Sequence, residues 1–420
     1  MNVTPSSATL ARGSGVLDRT LRDRARLVIP GGMYGHLDVE MTMLPSSFPQ
    51  FYETAHGATV RDVDGNEYVD LMCSWGPVIL GYSHPVVEEA VRRQMAISDI
   101  NNGPSPRLVE LAELMVDTVA HADWAVFAKN GTDATTGCCT IARAATGRTK
   151  VLKAVSSYHG SNPPFSPVPA GVTAADRENI VEFAYNDLPA LEEAAALHDG
   201  DVAAVIVTPF FHDGFSDQAL VDPAFAGGVR ALCDRIGAVL ILDEVRAGFR
   251  LDVRGSWESL GVRPDLSAFS KALGNGYPIS AITGVDSLRD AASTVYLTGS
   301  FWLQSVRMAA AIATVSEIVR TDTVGHMRVL GERLMGGLRD IATTHQIPLV
   351  VSGEPAMPKI RFENDPTMQI ANIFCGTALE HGAFLHPWHN WFLSAAHTED
   401  SIDLALAAAD AGAAAVRSAL

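Results

Sequence analysis

The sequence predicts an α/β protein built on a mainly parallel sheet, and three observations predict it. Short apolar runs rich in branched residues, such as Val202 to Thr208 and Ala238 to Leu242, read as buried strands. They alternate with helical patterns, among them Asp222 to Ile236, as repeated strand–helix–strand units do. Polar and Gly-rich residues cluster just after the strands, where open α/β sheets bind ligands. At 420 residues the chain can bury a large core and is expected to hold more than one domain.

The informative stretch runs from Val239 to Gly276 and reads VLILDEVRAGFRLDVRGSWESLGVRPDLSAFSKALGNG. Its first strand ends in the acid pair Asp243-Glu244. A second short strand, Asp265 to Phe269, ends in Ser270-Lys271 before a loose Gly-Asn-Gly turn. Surface lysines are the common kind. A lysine between an apolar strand and a Gly turn is instead a candidate to form a Schiff base, because desolvation frees its lone pair. Asp243 reads equally as a helix cap, a metal ligand, or the acid that keeps a pyridine nitrogen protonated.

Before that stretch, residues 1 to about 15 are Ser-, Thr- and Gly-rich and are expected to be mobile. Val16 to Val28 has helical spacing and stops at Pro30-Gly31-Gly32. Tyr34 and His36 follow, in a loop that either lines a pocket or lies on the surface. Phe51 to Leu71 reads as strands, with Asp64-Gly65 a hairpin signal. Trp75, in SWGPVILGYSHP, is either core or a lid over a site. Helices are expected at Val86 to Met95 and Pro106 to Ala120. The strand Trp124 to Ala128 runs into Asn130-Gly131-Thr132-Asp133 and an Ala-rich helix. That passage suits a phosphate at a helix start, or an ordinary N-cap. A strand from Lys150 leads to Tyr158-His159-Gly160, and His159 is either a core histidine or a partner to another site residue. Downstream, one long helix is expected from Ala311 to about Thr344. Strands follow at Pro348 to Val351 and Lys359 to Phe362, then a helix at Pro366 to His381. Thr398-Glu399-Asp400 opens a last helix.

The net charge of −17 disfavours nucleic acid and anionic membranes as partners. The five cysteines, with no paired CxxC, suggest reduced thiols in a cytoplasmic protein and no structural metal. No signal peptide or apolar run of membrane-spanning length is read.

LILDEVRAGFR followed by PDLSAFSKALGNGYPISAITG resembles the class III aminotransferases, in the branch of glutamate-1-semialdehyde aminomutase. These are fold type I pyridoxal-phosphate enzymes, and the resemblance covers about residue 16 to the end. It implies a mainly parallel seven-stranded sheet sandwiched by helices, with a smaller α+β domain drawn from both termini. The expected division is 1–75, 76–310 and 311–420. It also implies pyridoxal 5'-phosphate bound covalently to Lys271, with Asp243 on the ring nitrogen and Tyr158 stacked on the ring. Asn130, Gly131, Thr132, His159 and Val245 complete the cofactor site. Gly299-Ser300 is similar to the family's Gly-Thr that reaches a partner's phosphate, which implies a homodimer. Tyr34, Trp75 and His389 are the expected substrate contacts. In the aminomutases a Glu stands at position 389 and an Arg near position 38, here Asp38. Both departures favour an aminotransferase acting on an amine or amino acid over an intramolecular 2,1-aminomutase. The segment GAFLHPWHNWFLSAAHTEDSID resembles the family's closing strand pair and final helix.

Overall fold

The computed structural model describes residues 12–39 and 41–420, so the expected mobile N-terminus lies, as far as residue 11, outside the described residues. The chain first lays down a meander of β1 (Tyr52–His56), β2 (Thr59–Asp62) and β3 (Glu67–Asp70). Gly65 takes φ +91° in the turn between β2 and β3, which glycine alone adopts without a Cβ clash. Asp62 secures that turn by accepting the Asn66 N–H at 2.8 Å and the Tyr68 hydroxyl at 2.9 Å.

Seven strands then build the main sheet: β4 (Trp124–Ala128), β5 (Lys150–Ala154), β6 (Ile180–Phe183), β7 (Val202–Val207), β8 (Val239–Asp243), β9 (Leu266–Phe269) and β10 (Ser280–Gly284). Their order is β4-β10-β9-β8-β7-β5-β6. Only β10 runs antiparallel to its neighbours. Strands β7 to β10 are buried along their whole length, as a sheet covered on both faces requires. The two faces separate by the alternation of side chains along a strand. Val205 and Val207 of β7 pack with Leu240, Leu242 and the helices Leu188–Ala196 and Pro223–Ile236. Ala204 and Ile206 pack on the other side with Ile241, Leu266 and the helix Gly131–Thr146.

Because β10 is antiparallel to both β4 and β9, strands β4, β5, β7, β8 and β9 all point the same way. Their C-terminal ends therefore meet at one edge. The loops carrying Asn130–Thr132, Tyr158–His159, Thr208–His212, Asp243–Arg246 and Ser270–Lys271 converge there.

The last third departs from expectation in two places. The long helix expected from Ala311 is two, Ser305–Arg320 and Thr323–His345. Asp322 breaks it by taking φ +44° and accepting the Gly325 N–H with its side chain at 3.3 Å, a new N-cap where helix interior was expected. The expected closing strand pair is a single two-residue strand after β11 (Leu349–Ser352) and β12 (Lys359–Phe362), namely β13 (Ala383–Phe384). Pro387 removes a ladder donor just beyond it. The chain continues as an irregular segment whose N–H groups at Trp391, Phe392, Leu393 and Ala395 bond to the carbonyls of Pro358, Leu71, Ala356 and Ile79, in three separate stretches. β13 runs parallel to β3 and so joins the C-terminal part to the first meander. The final helix, Glu399–Ala419, opens with a capping box between Thr398 and Ser401.

Asn275 ties the turn after β9 to the segment that follows Trp75. It is buried at φ +46°. Its Oδ1 accepts the N–H groups of Ile79 at 3.0 Å and Leu80 at 2.8 Å, and its Nδ2 donates to Gly81 O at 3.0 Å. Asn275→Ala leaves these three groups without partners and is expected to cost roughly 3 kcal/mol, readable as a lower urea midpoint.

Candidate active site

A cavity of about 560 Å³ opens at the C-terminal edge of the main sheet, and Asp243, Lys271, Tyr158, His159 and the Asn130–Thr132 turn line it. Asp243 is buried at the end of β8 and fully engaged. Its Oδ2 lies 2.7 Å from His159 Nδ1, and its Oδ1 accepts the Val245 N–H at 3.0 Å. A carboxylate facing Nδ1 fixes the proton there. His159 Nε2 is then left buried with no hydrogen-bond partner. The Thr135 hydroxyl donates to the His159 carbonyl at 2.6 Å and anchors this residue to the first helix of the edge.

Lys271 sits two residues past β9 at φ +43°, a conformation that costs a non-glycine residue about 1–2 kcal/mol and marks functional turns. Burial pushes its amine down to about 7, the Arg246 guanidinium adds to that, and Asp243 partly opposes it. A lysine with that pKa is a nucleophile near neutral pH.

The Asn130–Thr132 turn caps the helix Gly131–Thr146. Asn130 Oδ1 accepts the Asp133 N–H, and Asp133 Oδ2 accepts the N–H groups of Lys129 and Asn130. These bonds leave the first helical N–H groups, at Gly131 and Thr132, aimed at the helix start, where an anion is favoured. Thr132 Oγ1 accepts the Ser161 N–H at 3.1 Å and lies 3.5 Å from Ser161 Oγ, so two hydroxyls stand together at the helix start. The cradle is tight. A Cβ on Gly131 would come within 2.6 Å of Val245 Cγ1, and one on Gly160 within 2.9 Å of Thr132 Oγ1.

An aromatic wall gathers around Trp75, and two of its histidines, His36 and His389, feel the charge of Lys271. Trp75 packs edge-on to His36 at 4.7 Å, His389 at 4.9 Å and His386 at 5.2 Å, with Trp388 at 6.4 Å. Phe215 stacks on Trp388. Cys73, Ser74 and Trp75 all have positive φ, from +47° to +66°, so the wall rests on a strained turn. Burial lowers the pKa of all three histidines: His386 falls to about 3, His36 also feels Lys271, and His389 also feels Arg246. The wall is therefore uncharged at neutral pH.

Of the expected site residues, Tyr34, Trp75, His389, Gly299 and Ser300 are not among those lining the cavity, and the Gly299-Ser300 pair was expected at a partner's site. Tyr34 is 68% exposed, and its neighbour His36 makes the contact with Trp75 instead. A β-turn-like glycine between them, Gly35 at φ +61°, turns the two side chains apart. Gly299 and Ser300 are on a separate loop and do not line the cavity within this chain. Conversely, Arg246 and Lys129 line the cavity although nothing in their sequence context separates them from surface cations.

The sequence matches the aminotransferase class-III family over residues 43–398. The chain is a class III aminotransferase. It is 45% identical to the aminopentol aminotransferase of Sphingopyxis macrogoltabida, over 94% of each chain. It shares 33% identity with a glutamate-1-semialdehyde 2,1-aminomutase of Anaeromyxobacter dehalogenans, over 94% of this chain and 96% of that one. The lower identity to the aminomutase agrees with the aminotransferase reading of positions 38 and 389. Among solved structures, the FumI protein of Sphingopyxis sp. MTA144, determined as its PLP internal aldimine form, superposes with a TM-score of 0.93 at 45% identity, covering 95% of this chain and 96% of that one. The fold is that of the fold type I pyridoxal-phosphate transferases, and the aminotransferase uses pyridoxal 5'-phosphate. Its cavity fits that cofactor: an anion cradle only a glycine leaves open, an acid, a nucleophilic lysine and an orphaned imidazole nitrogen. No helix among the described residues is long and apolar enough to cross a membrane.

Proposed function

We propose that this aminotransferase takes its amino group from an amine with an apolar or hydroxylated carbon chain and no carboxylate beside the amine, and passes it to a carbonyl acceptor. The carrying observation is the uncharged wall of Trp75, His36, His386, His389 and Trp388, whose His36 and His389 feel the charge of Lys271. Neutral imidazoles offer hydrogen bonds to hydroxyls, and the indoles offer apolar surface. The relative named for aminopentol points to a donor of the same class.

Pyridoxal phosphate, when bound, supplies an aldehyde that condenses with amines and a pyridine ring that takes up electrons. The residues around it divide the remaining work. Gly131 and Thr132 hold the phosphate with N–H and hydroxyl donors, with Asn130 shaping the turn. Tyr158 and Val245 would hold the ring between them, and the Asp243 carboxylate, steadied by His159, would serve its nitrogen. Lys271 would hold the group through its Nζ, and that amine, when free, would take up and give back a proton at the reacting substrate carbon.

Nucleophilic attack needs the unprotonated amine. Its pKa near 7 means that loading of the apoenzyme with pyridoxal phosphate should speed up about tenfold per pH unit below pH 7 and level off above it. A rate still rising steeply between pH 8 and 10 would point to an ordinary lysine. The protein is proposed to work as a cytoplasmic homodimer. The loop holding Gly299 and Ser300 exposes Tyr296 and Phe301, apolar surface suited to a partner, and would carry Ser300 to the partner's phosphate site. Sedimentation at a monomer mass would remove that part. The substrate class is tested with a donor panel that follows the cofactor's visible absorbance. Long-chain amino alcohols are expected to bleach it, and glutamate is not. The reverse order would reject the proposal.

A further inference from the structure

The loop between β7 and the helix Pro223–Ile236 springs from the main sheet, yet the last third of the chain holds it. Phe211 and Ala219 close its base with two backbone bonds, at 2.8 Å and 3.2 Å. Its far side is fastened to β11 and β12. Lys359 of β12 is buried and donates from Nζ to the carbonyls of Asp213 at 2.6 Å and Ser216 at 2.7 Å. Arg361 clasps the Asp217 carboxylate with two bonds, at 2.8 Å and 3.0 Å. The Gln218 N–H reaches Ser352 Oγ of β11 at 3.1 Å. The Asp213 carboxylate turns back into the loop and accepts the N–H groups of Phe215 and Ser216. A buried ammonium carries a desolvation cost even when it is hydrogen-bonded, and a methionine would fill the same space without it. The charge at position 359 therefore serves the shape of the loop.

That shape presents two side chains to the site. His212, near the base, is buried and lines the cavity. Three residues on, at most about 10 Å along the chain, Phe215 stacks on Trp388 with the ring centres 6.4 Å apart and the planes 10° from parallel. Between them Gly214 lies so close to the indole that an added Cβ would meet Trp388 Cε3 at 3.2 Å. The indole N–H donates to Thr42 O at 2.6 Å, which leaves the rest of that ring apolar. Phe215 nevertheless remains 68% exposed. A large apolar ring fixed in water at the edge of a site gains free energy when an apolar group covers it.

We propose that Lys359 is a positioning residue for donor specificity: by fixing the carbonyls of Asp213 and Ser216 it keeps Phe215 on Trp388, and that pair receives the far end of the donor's carbon chain. This rests on the reading above of an amine donor with an apolar or hydroxylated chain. Lys359 itself touches no substrate. Its influence grows with the length of the donor, whereas a lysine that only stabilised the fold would affect short and long donors alike.

The test uses holoenzyme with pyruvate as the fixed acceptor and two donors, butylamine and octylamine. Each methylene that reaches the pair is worth roughly fourfold in kcat/KM, so octylamine should lead in the wild type. Phe215→Ala and Lys359→Met are each expected to lower the octylamine-to-butylamine ratio of kcat/KM roughly tenfold, chiefly through KM. The double variant should lose no more than Phe215→Ala alone, because both changes act on one surface. Lys359→Arg can still donate to two carbonyls and should restore most of the ratio. Phe215 is exposed, so its variant keeps the comparison open even if Lys359→Met fails to fold. The cofactor's visible spectrum and dissociation constant should stay those of the wild type. An unchanged ratio, an equal loss on both donors, or losses that add in the double variant would overturn the proposal. Failure of the donor reading shows separately, as a wild type silent on both amines that turns over amino acids. The same ratio, read on 2-aminooctanoate and 2-aminobutanoate, then decides the role of Lys359.

Discussion

Lys271→Ala is expected to lower turnover by about 10,000-fold or more and to abolish the visible band of the lysine-linked cofactor. Two separate functions go with the one side chain. The amine that attacks the carbonyl disappears, and so does the base that moves the proton on the substrate carbon. No other amine stands in. Lys129 lines the far side of the cavity with its Nζ near Pro278 O, and Lys153 is held by Glu182. Cofactor should still bind, because the Gly131–Thr132 cradle and Asp243 belong to other loops. Retained turnover in this variant would remove the lysine from the chemistry.

Asp243→Asn should leave the cofactor bound and cut the rate of the first half-reaction roughly 1000-fold, with a much smaller change in substrate affinity. The charge is what matters. A neutral amide no longer holds a proton on the pyridine nitrogen, and the ring then accepts electrons poorly. The substitution also replaces the acceptor of the His159 Nδ1 proton with a weaker one, so the nearby geometry is disturbed least when the amide oxygen keeps that bond. Rapid-mixing measurements of cofactor absorbance separate the two constants. A near-normal rate would mean that another group holds the ring nitrogen.

Much of this was legible in the sequence for a physical reason. Strands buried on both faces need continuous apolar runs, and such runs at Val202 and Val239 announce themselves. Their ends then mark where Asp243 and Lys271 fall. The turn residues Asn130, Gly131 and Thr132 are similarly legible, since few residue types suit a helix start that receives an anion. Other features have no local signal. β6 is only four residues long, and β10 follows a glycine turn that reads as loop. The break at Asp322 depends on a side-chain cap that looks like ordinary helical polarity until the fold orients it. The aromatic wall is assembled from three distant stretches, at 36, 75 and 386–389. Tyr34 looked as suitable as His36, and only the turn at Gly35 decides between them. Arg246 is two positions beyond Glu244, but its place in the cavity and its bond to Asn390 depend on where the last third of the chain arrives in space.

The covalent link at position 271 is tested most directly by reducing the holoenzyme with borohydride, digesting it and locating the pyridoxyl group by mass spectrometry. The account predicts one modified peptide, with the label on Lys271. A label on another lysine, or a colourless protein that yields none after incubation with pyridoxal phosphate, would contradict it.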